Sequence, residues 1–100
     1  MIRGTTPPHT FKLPIDVQDA KQIRIIYAQN DEVLFVKTKP ELGVSGNEVR
    51  LRLTQEETLM FDHGEAAEIQ LRVLTAENNA LASKVIRIPV GMLLEDEVME

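Results

Sequence analysis

Glu48-Val49-Arg50-Leu51-Arg52-Leu53-Thr54 alternates strictly between polar and apolar residues. Side chains on an extended chain point to opposite faces in turn, so the stretch predicts a strand with Val49, Leu51 and Leu53 in a core and Glu48, Arg50 and Arg52 outside it. Residues 67–75 repeat the pattern, with Ala67, Ile69, Leu71 and Val73 inward against Glu68, Gln70 and Arg72. Residues 22–28 place Ile23, Ile25 and Tyr27 on one side and Arg24 on the other, with Ile26 on the polar side, so that strand is expected to be partly covered on both faces. In residues 84–90, Ile86, Ile88 and Val90 oppose Arg87, and Pro89 marks an edge or a strand end because it cannot donate to a ladder. Residues 32–38 are apolar at four successive positions, Val33 to Val36, which leaves the inward face open between Leu34 with Val36 and Val33 with Phe35. Thr10-Phe11-Lys12-Leu13-Pro14-Ile15 makes a short first strand.

The residues between these runs are turn formers. Asn30-Asp31 and Asn78-Asn79 tolerate the left-handed backbone of tight hairpins, and Gly43-Val44-Ser45-Gly46-Asn47 reads as a loop. No connection is long enough for a crossover helix, so antiparallel pairing is expected. Thr54-Gln55-Glu56-Glu57 is a capping box that starts one helical turn near 55–60. Leu59, Met60 and Phe61 follow it, and Asp62-His63-Gly64 ends it. Such a corner between strands of opposite sheets belongs to immunoglobulin-like sandwiches. The expected fold is therefore all-β, an immunoglobulin-like antiparallel sandwich of six to eight short strands. Residues 1–100 read as a single domain, with 1–8 as an extended arm and 91–100 as an acidic and apolar segment.

A chain of 100 residues, 43% hydrophobic and 27% charged, suits one soluble core and excludes disorder, collagen-like repeats and a membrane span. The net charge is −5, and residues 51–100 carry ten acids against four bases. That is the reverse of the positive footprint a nucleic-acid binder needs, and it disfavours an acidic membrane surface too. With no cysteine there is no disulfide framework, thiolate zinc site or thiol nucleophile. No apolar run follows Met1-Ile2-Arg3-Gly4, so no signal peptide is expected and synthesis is placed in the cytoplasm.

No motif names a chemistry. His9 and His63 read as exposed loop histidines without metal-ligand spacing. Glu56 and Glu57 are explained by the helix dipole, Ser45 and Ser83 lie outside any nucleophile elbow, and the glycines form no phosphate cradle. No catalytic residue, metal or cofactor is expected. Arg24, Arg50, Arg52 and Arg72, with Lys37 and Lys39, offer a basic stripe for an anionic partner, although cross-strand pairing with glutamates accounts for them as well. The tail, Met92-Leu93-Leu94-Glu95-Asp96-Glu97-Val98-Met99-Glu100, holds five apolar residues and four acids but no base. Met92, Leu93, Leu94, Val98 and Met99 have no place in the core already assigned, which makes them candidate partner contacts on a docking arm or a frayed closing strand.

Several segments carry a resemblance. Met1-Ile2-Arg3-Gly4-Thr5-Thr6-Pro7 with His9-Thr10-Phe11-Lys12-Leu13-Pro14, Ile25-Ile26-Tyr27-Ala28-Gln29, Leu53-Thr54-Gln55-Glu56-Glu57-Thr58, and Ile69-Gln70-Leu71-Arg72-Val73-Leu74-Thr75 with Ala80-Leu81-Ala82-Ser83 resemble a family of short prophage-encoded proteins of Gram-positive gut bacteria. Residues 48–90 are also similar to the N-terminal domain of phage baseplate upper proteins, in which a threonine-capped turn precedes a strand and a returning hairpin. The resemblance implies a non-enzymatic virion structural protein of a tail or baseplate, with other phage structural proteins as partners, homo-oligomers in prospect, and neither nucleic acid nor membrane bound. The alternative is a small ligand-binding sandwich such as a carbohydrate-binding module. Its aromatic supply is thin, with Phe11, Phe35, Phe61 and Tyr27 and no Trp, and at most Phe35 is expected to be exposed.

Overall fold

In the computed structural model, which describes residues 1–100, Asn30 and Asp31 take φ of 53° and 62°. Two successive left-handed residues build a turn whose twist matches a hairpin, and here they join β2 (Gln22–Gln29) to β3 (Glu32–Thr38). On its other side β2 pairs with β6 (Ala67–Leu74). The far edge of β6 is shared by β7 (Ala80–Ala82), opposite residues 72–74, and β8 (Ile86–Ile88), opposite residues 67–69. Asn78, at φ 68°, supplies the left-handed residue of the β6–β7 turn. A three-stranded sheet in the order β1-β5-β4 faces this one, made of β1 (Pro8–Lys12), β4 (Gly43–Ser45) and β5 (Glu48–Arg52).

Every strand pair is antiparallel. The orders β1-β5-β4 and β3-β2-β6-β7 are those of strands B-E-D and C′-C-F-G in an immunoglobulin-like sandwich. The helix α1 (Gln55–Leu59) carries the chain from β5 towards β6 and the opposite sheet. Its capping box forms as expected, with the Thr54 amide donating to Glu57 Oε1 at 2.8 Å and the Glu57 amide donating to Thr54 Oγ1 at 3.2 Å.

The core follows the period-two reading. Val49, Leu51 and Leu53 meet Ile23, Ile25, Tyr27, Ala67, Ile69, Leu71 and Val73, all buried, and Phe61 closes the end below α1. Two further core residues, Val17 and Ala20, come from the irregular segment after β1, which is held by Val17 N–H donating to Gly46 O at 2.9 Å.

Several expectations need correction. The first strand begins at Pro8 instead of Thr10, so His9 faces inward on a strand beside Leu51. In β3 neither proposed face is right by itself. Tyr27 pairs with Phe35 but Ala28 with Val33, leaving Leu34 as the extra residue of a bulge, and both Leu34 and Phe35 pack on the core. Ile86 lies on the inward face opposite Ile69 as read, yet it is exposed because β8 is a short edge strand, while Val90 beyond it is buried. Within the arm over residues 1–8, Ile2 makes a parallel bridge with Gly91.

Candidate functional site

One group of titratable side chains gathers between the sheets. His9 on β1 stacks on Tyr27 of β2 at 5.8 Å between ring centroids, and its Nδ1 lies 2.7 Å from the Tyr27 hydroxyl. Burial lowers the imidazole's pKa and so favours the neutral ring, while burial and the charge of Glu57 push the tyrosine hydroxyl upward. Both shifts favour the neutral forms of the two groups, and the imidazole tautomer sets which of them donates. Phe35 stacks on the other face of this group, 4.8 Å from Tyr27, and Phe61 meets both rings edge-on.

Lys37 continues the cluster. It sits opposite Ile25 on the inward face of β3, where its ammonium pairs with Glu57 of α1 and with Glu41 at 3.5 Å. Burial pushes the Glu57 carboxyl up, but the Lys37 ammonium and the Thr54 amide outweigh it and hold the group below its ordinary value. Glu41 is held low chiefly by the Thr38 amide, which donates to it at 3.0 Å. These contacts tie β1 to β2 and β3 to α1. Each buried side-chain nitrogen and oxygen has a partner, so the cluster fixes the two sheets against each other.

The other polar candidates are dispersed. His63 is exposed on the turn before Gly64, and no group of three or more His, Asp or Glu side chains gathers at one place. Ser83 accepts from the Leu71 amide at 3.0 Å and donates to Lys84 O at 2.9 Å, which pins the end of β7 to β6. The six basic residues that could have formed a stripe do not form one. Lys37 points inward, Arg50 and Arg52 lie on the three-stranded sheet, and Lys39 donates to Ala20 O at 2.6 Å. Arg24 and Arg72 remain together, directly opposite each other on β2 and β6. Neither strand's own sequence announces that pairing; the strand order creates it.

The tail residues singled out from sequence divide into two groups. Leu93 turns inward towards Gly4 and Leu59, so closely that a Cβ on Gly4 would stand 2.5 Å from Leu93 Cδ2. Met92, Leu94, Val98 and Met99 are exposed, Leu94 at 95%. The segment is tethered to its own domain by polar contacts. Arg3 pairs with Asp96 at 3.0 Å, and the Gln55 amide both donates to Met99 O at 2.9 Å and accepts from Met99 N–H at 2.8 Å. These are exposed bonds that exchange readily with water or with a partner.

No family model, no curated protein and no solved structure matches this chain. No helix is long and apolar enough to cross a membrane.

Proposed function

We infer that the chain is a non-enzymatic structural protein of a phage, a tail or baseplate component that works through protein–protein contacts. One observation carries the reading: a complete core of 14 buried residues closes without residues 92–100, yet that segment presents Met92, Leu94, Val98 and Met99 to solvent. Apolar side chains held outside a finished core are the material of an interface, and the four acids among them keep the unassembled form soluble. The resemblance to prophage-encoded proteins supplies the setting, and the virion is the proposed location.

The glycan-binding alternative draws less support. Sugar-binding surfaces need exposed aromatic platforms, whereas Tyr27 and Phe61 are fully buried and Phe11 and Phe35 pack against the core. The test is mass spectrometry of purified particles from a lysogen that encodes the chain, with the gene intact and deleted. The chain present at a fixed ratio to the major tail protein, and incomplete particles without it, is the expected result. Complete particles lacking the chain overturn the proposal.

A further inference from the structure

Arg24 and Arg72 face each other across the two central strands of the five-stranded sheet. Like charges directly opposite on a ladder repel, and neither arginine belongs to an ion pair of the chain, which join Arg3 to Asp96, Lys37 to Glu41 and Glu57, and Arg87 to Glu68. Beside them lies a hollow of about 220 Å³, lined by Gln22, Arg24, Arg72 and Val73 with Leu74, Ala80 and Leu81 of the β6–β7 hairpin. On the other side of Arg24 a second hollow adds Lys21 and Lys39. Neither lining contains an acid, in a chain whose net charge is −5. The surface therefore combines neighbouring cationic side chains with half-open apolar walls. β7 forms one rim, with all of its residues exposed.

The opposite pattern exists elsewhere on the same chain. Residues 92–100 hold five apolar residues and four acids without a base, and this segment emerges past β8, at the end of β6 marked by Ala67 and remote from Arg72. We propose that the Arg24–Arg72 hollow receives residues 94–99 of a second copy of this chain. Glu95, Asp96 and Glu97 approach the two guanidinium groups, and Leu94 or Val98 enters the apolar wall formed by Leu74, Ala80 and Leu81. Arginine suits this task because its planar fork meets carboxylates in pairs. To dock, the tail gives up the exposed Arg3–Asp96 pair and the Gln55–Met99 bonds. Donor segment and acceptor hollow lie at opposite ends of the sheet, so the contact is head-to-tail. A head-to-tail contact repeats from copy to copy and closes into a ring or runs on as a filament. The inference deepens the structural role argued above by naming its partner as the chain itself.

The test uses the full chain in sedimentation velocity over a range of concentrations at low and high salt, beside titration of a fluorescent peptide spanning residues 91–100. Expected are species heavier than the 11.3 kDa monomer that grow with concentration and shrink with salt, and saturable peptide binding. Arg24→Gln with Arg72→Gln should weaken both by at least about tenfold. The charge exchange then decides specificity: a chain carrying R24E and R72E should bind a peptide with E95K, D96K and E97K and reject the native one. Circular dichroism of each variant confirms the fold. A monomer at all concentrations that ignores the peptide, equal binding of a scrambled peptide, or unchanged binding by the glutamine variants each overturns the proposal. A chain found in particles but monomeric by these measurements would end this inference and leave the virion role standing.

Discussion

The hydroxyl of Tyr27 lies 2.7 Å from Nδ1 of His9, a single bond that joins the five-stranded sheet to the three-stranded one. Burial favours the neutral ring, and stability should follow its titration. His9 has a folded pKa below the ordinary 6.5, so the unfolded chain takes up its proton first and stability falls as the pH drops from about 6.5 through the lower folded value. Glu57 and Glu41 lie below 4.5 when folded, so a second loss begins near there and deepens with acid. Tyr27 shifts the other way, and stability declines above its ordinary value of 10.0 as the unfolded chain ionises first. Urea midpoints should therefore be flat between roughly 7 and 9 and fall on both sides. His9→Gln should remove the loss between 6.5 and 4.5; a retained shoulder there would assign it to another group.

Leu51 and Leu71 come from opposing sheets and are 8% and 2% exposed. Truncating either to alanine should cost about 2–5 kcal/mol, the range for leucines in packed cores. Arg50→Ala should stay within about 0.5 kcal/mol, since the side chain is exposed on the outer face. Arg52→Ala should cost little more, through the bond its guanidinium donates to Thr6 O at 3.0 Å. Reversed sensitivities in urea melts would mean that β5 is displaced by one residue.

Lys37 and Glu57 form the one ion pair whose side chains are both mostly buried, 11% and 19% exposed. Lys37→Ala should cost about 2–3 kcal/mol, less than for a fully sealed pair because Glu57 keeps the Thr54 amide and some water. The double change Lys37→Met with Glu57→Gln should recover most of this, as glutamine preserves the cap and the methionine fills the space. A double-mutant cycle by chemical denaturation reads the coupling, and a coupling near zero would rule out the pair as a link between β3 and α1.

Asp31 carries φ of 62° without the freedom of glycine. Asp31→Gly converts the turn to the Asn-Gly pair that this geometry favours and should stabilise the domain by about 0.5–1 kcal/mol in thermal or urea unfolding. The Asp31 amide donates to Glu68 Oε1 at 3.5 Å and is retained in the variant. A lower midpoint would contradict the left-handed assignment.

Most of the strands were legible because alternation is a local property. Val49, Leu51 and Leu53 need no knowledge of their partners to be placed inward, and the Thr54–Glu57 cap is written within four residues. Features set by distant pairing were not legible. Lys37 looks outward by charge and turns inward because Glu57, far along the chain, meets it there. His9 resembles a loop residue among Pro7, Pro8 and Thr10, yet β5 draws it into a ladder. The bulge at Leu34 breaks the parity that sequence reading assumes, which is why two adjacent apolar residues both reach the core. The Arg24–Arg72 juxtaposition follows only from β2 and β6 lying side by side in one register.

The bridge between Ile2 and Gly91 has a mechanical meaning. Arg3 N–H donates to Gly91 O at 3.3 Å and Gly91 N–H donates to Met1 O at 2.6 Å, across two segments that run in the same direction. Tension on residue 92, drawn along the direction of its own segment, loads both bonds sideways and together, where a hairpin would open them one after another. If neighbouring copies pull through their tails, the load enters each domain at this clasp before it reaches the sandwich.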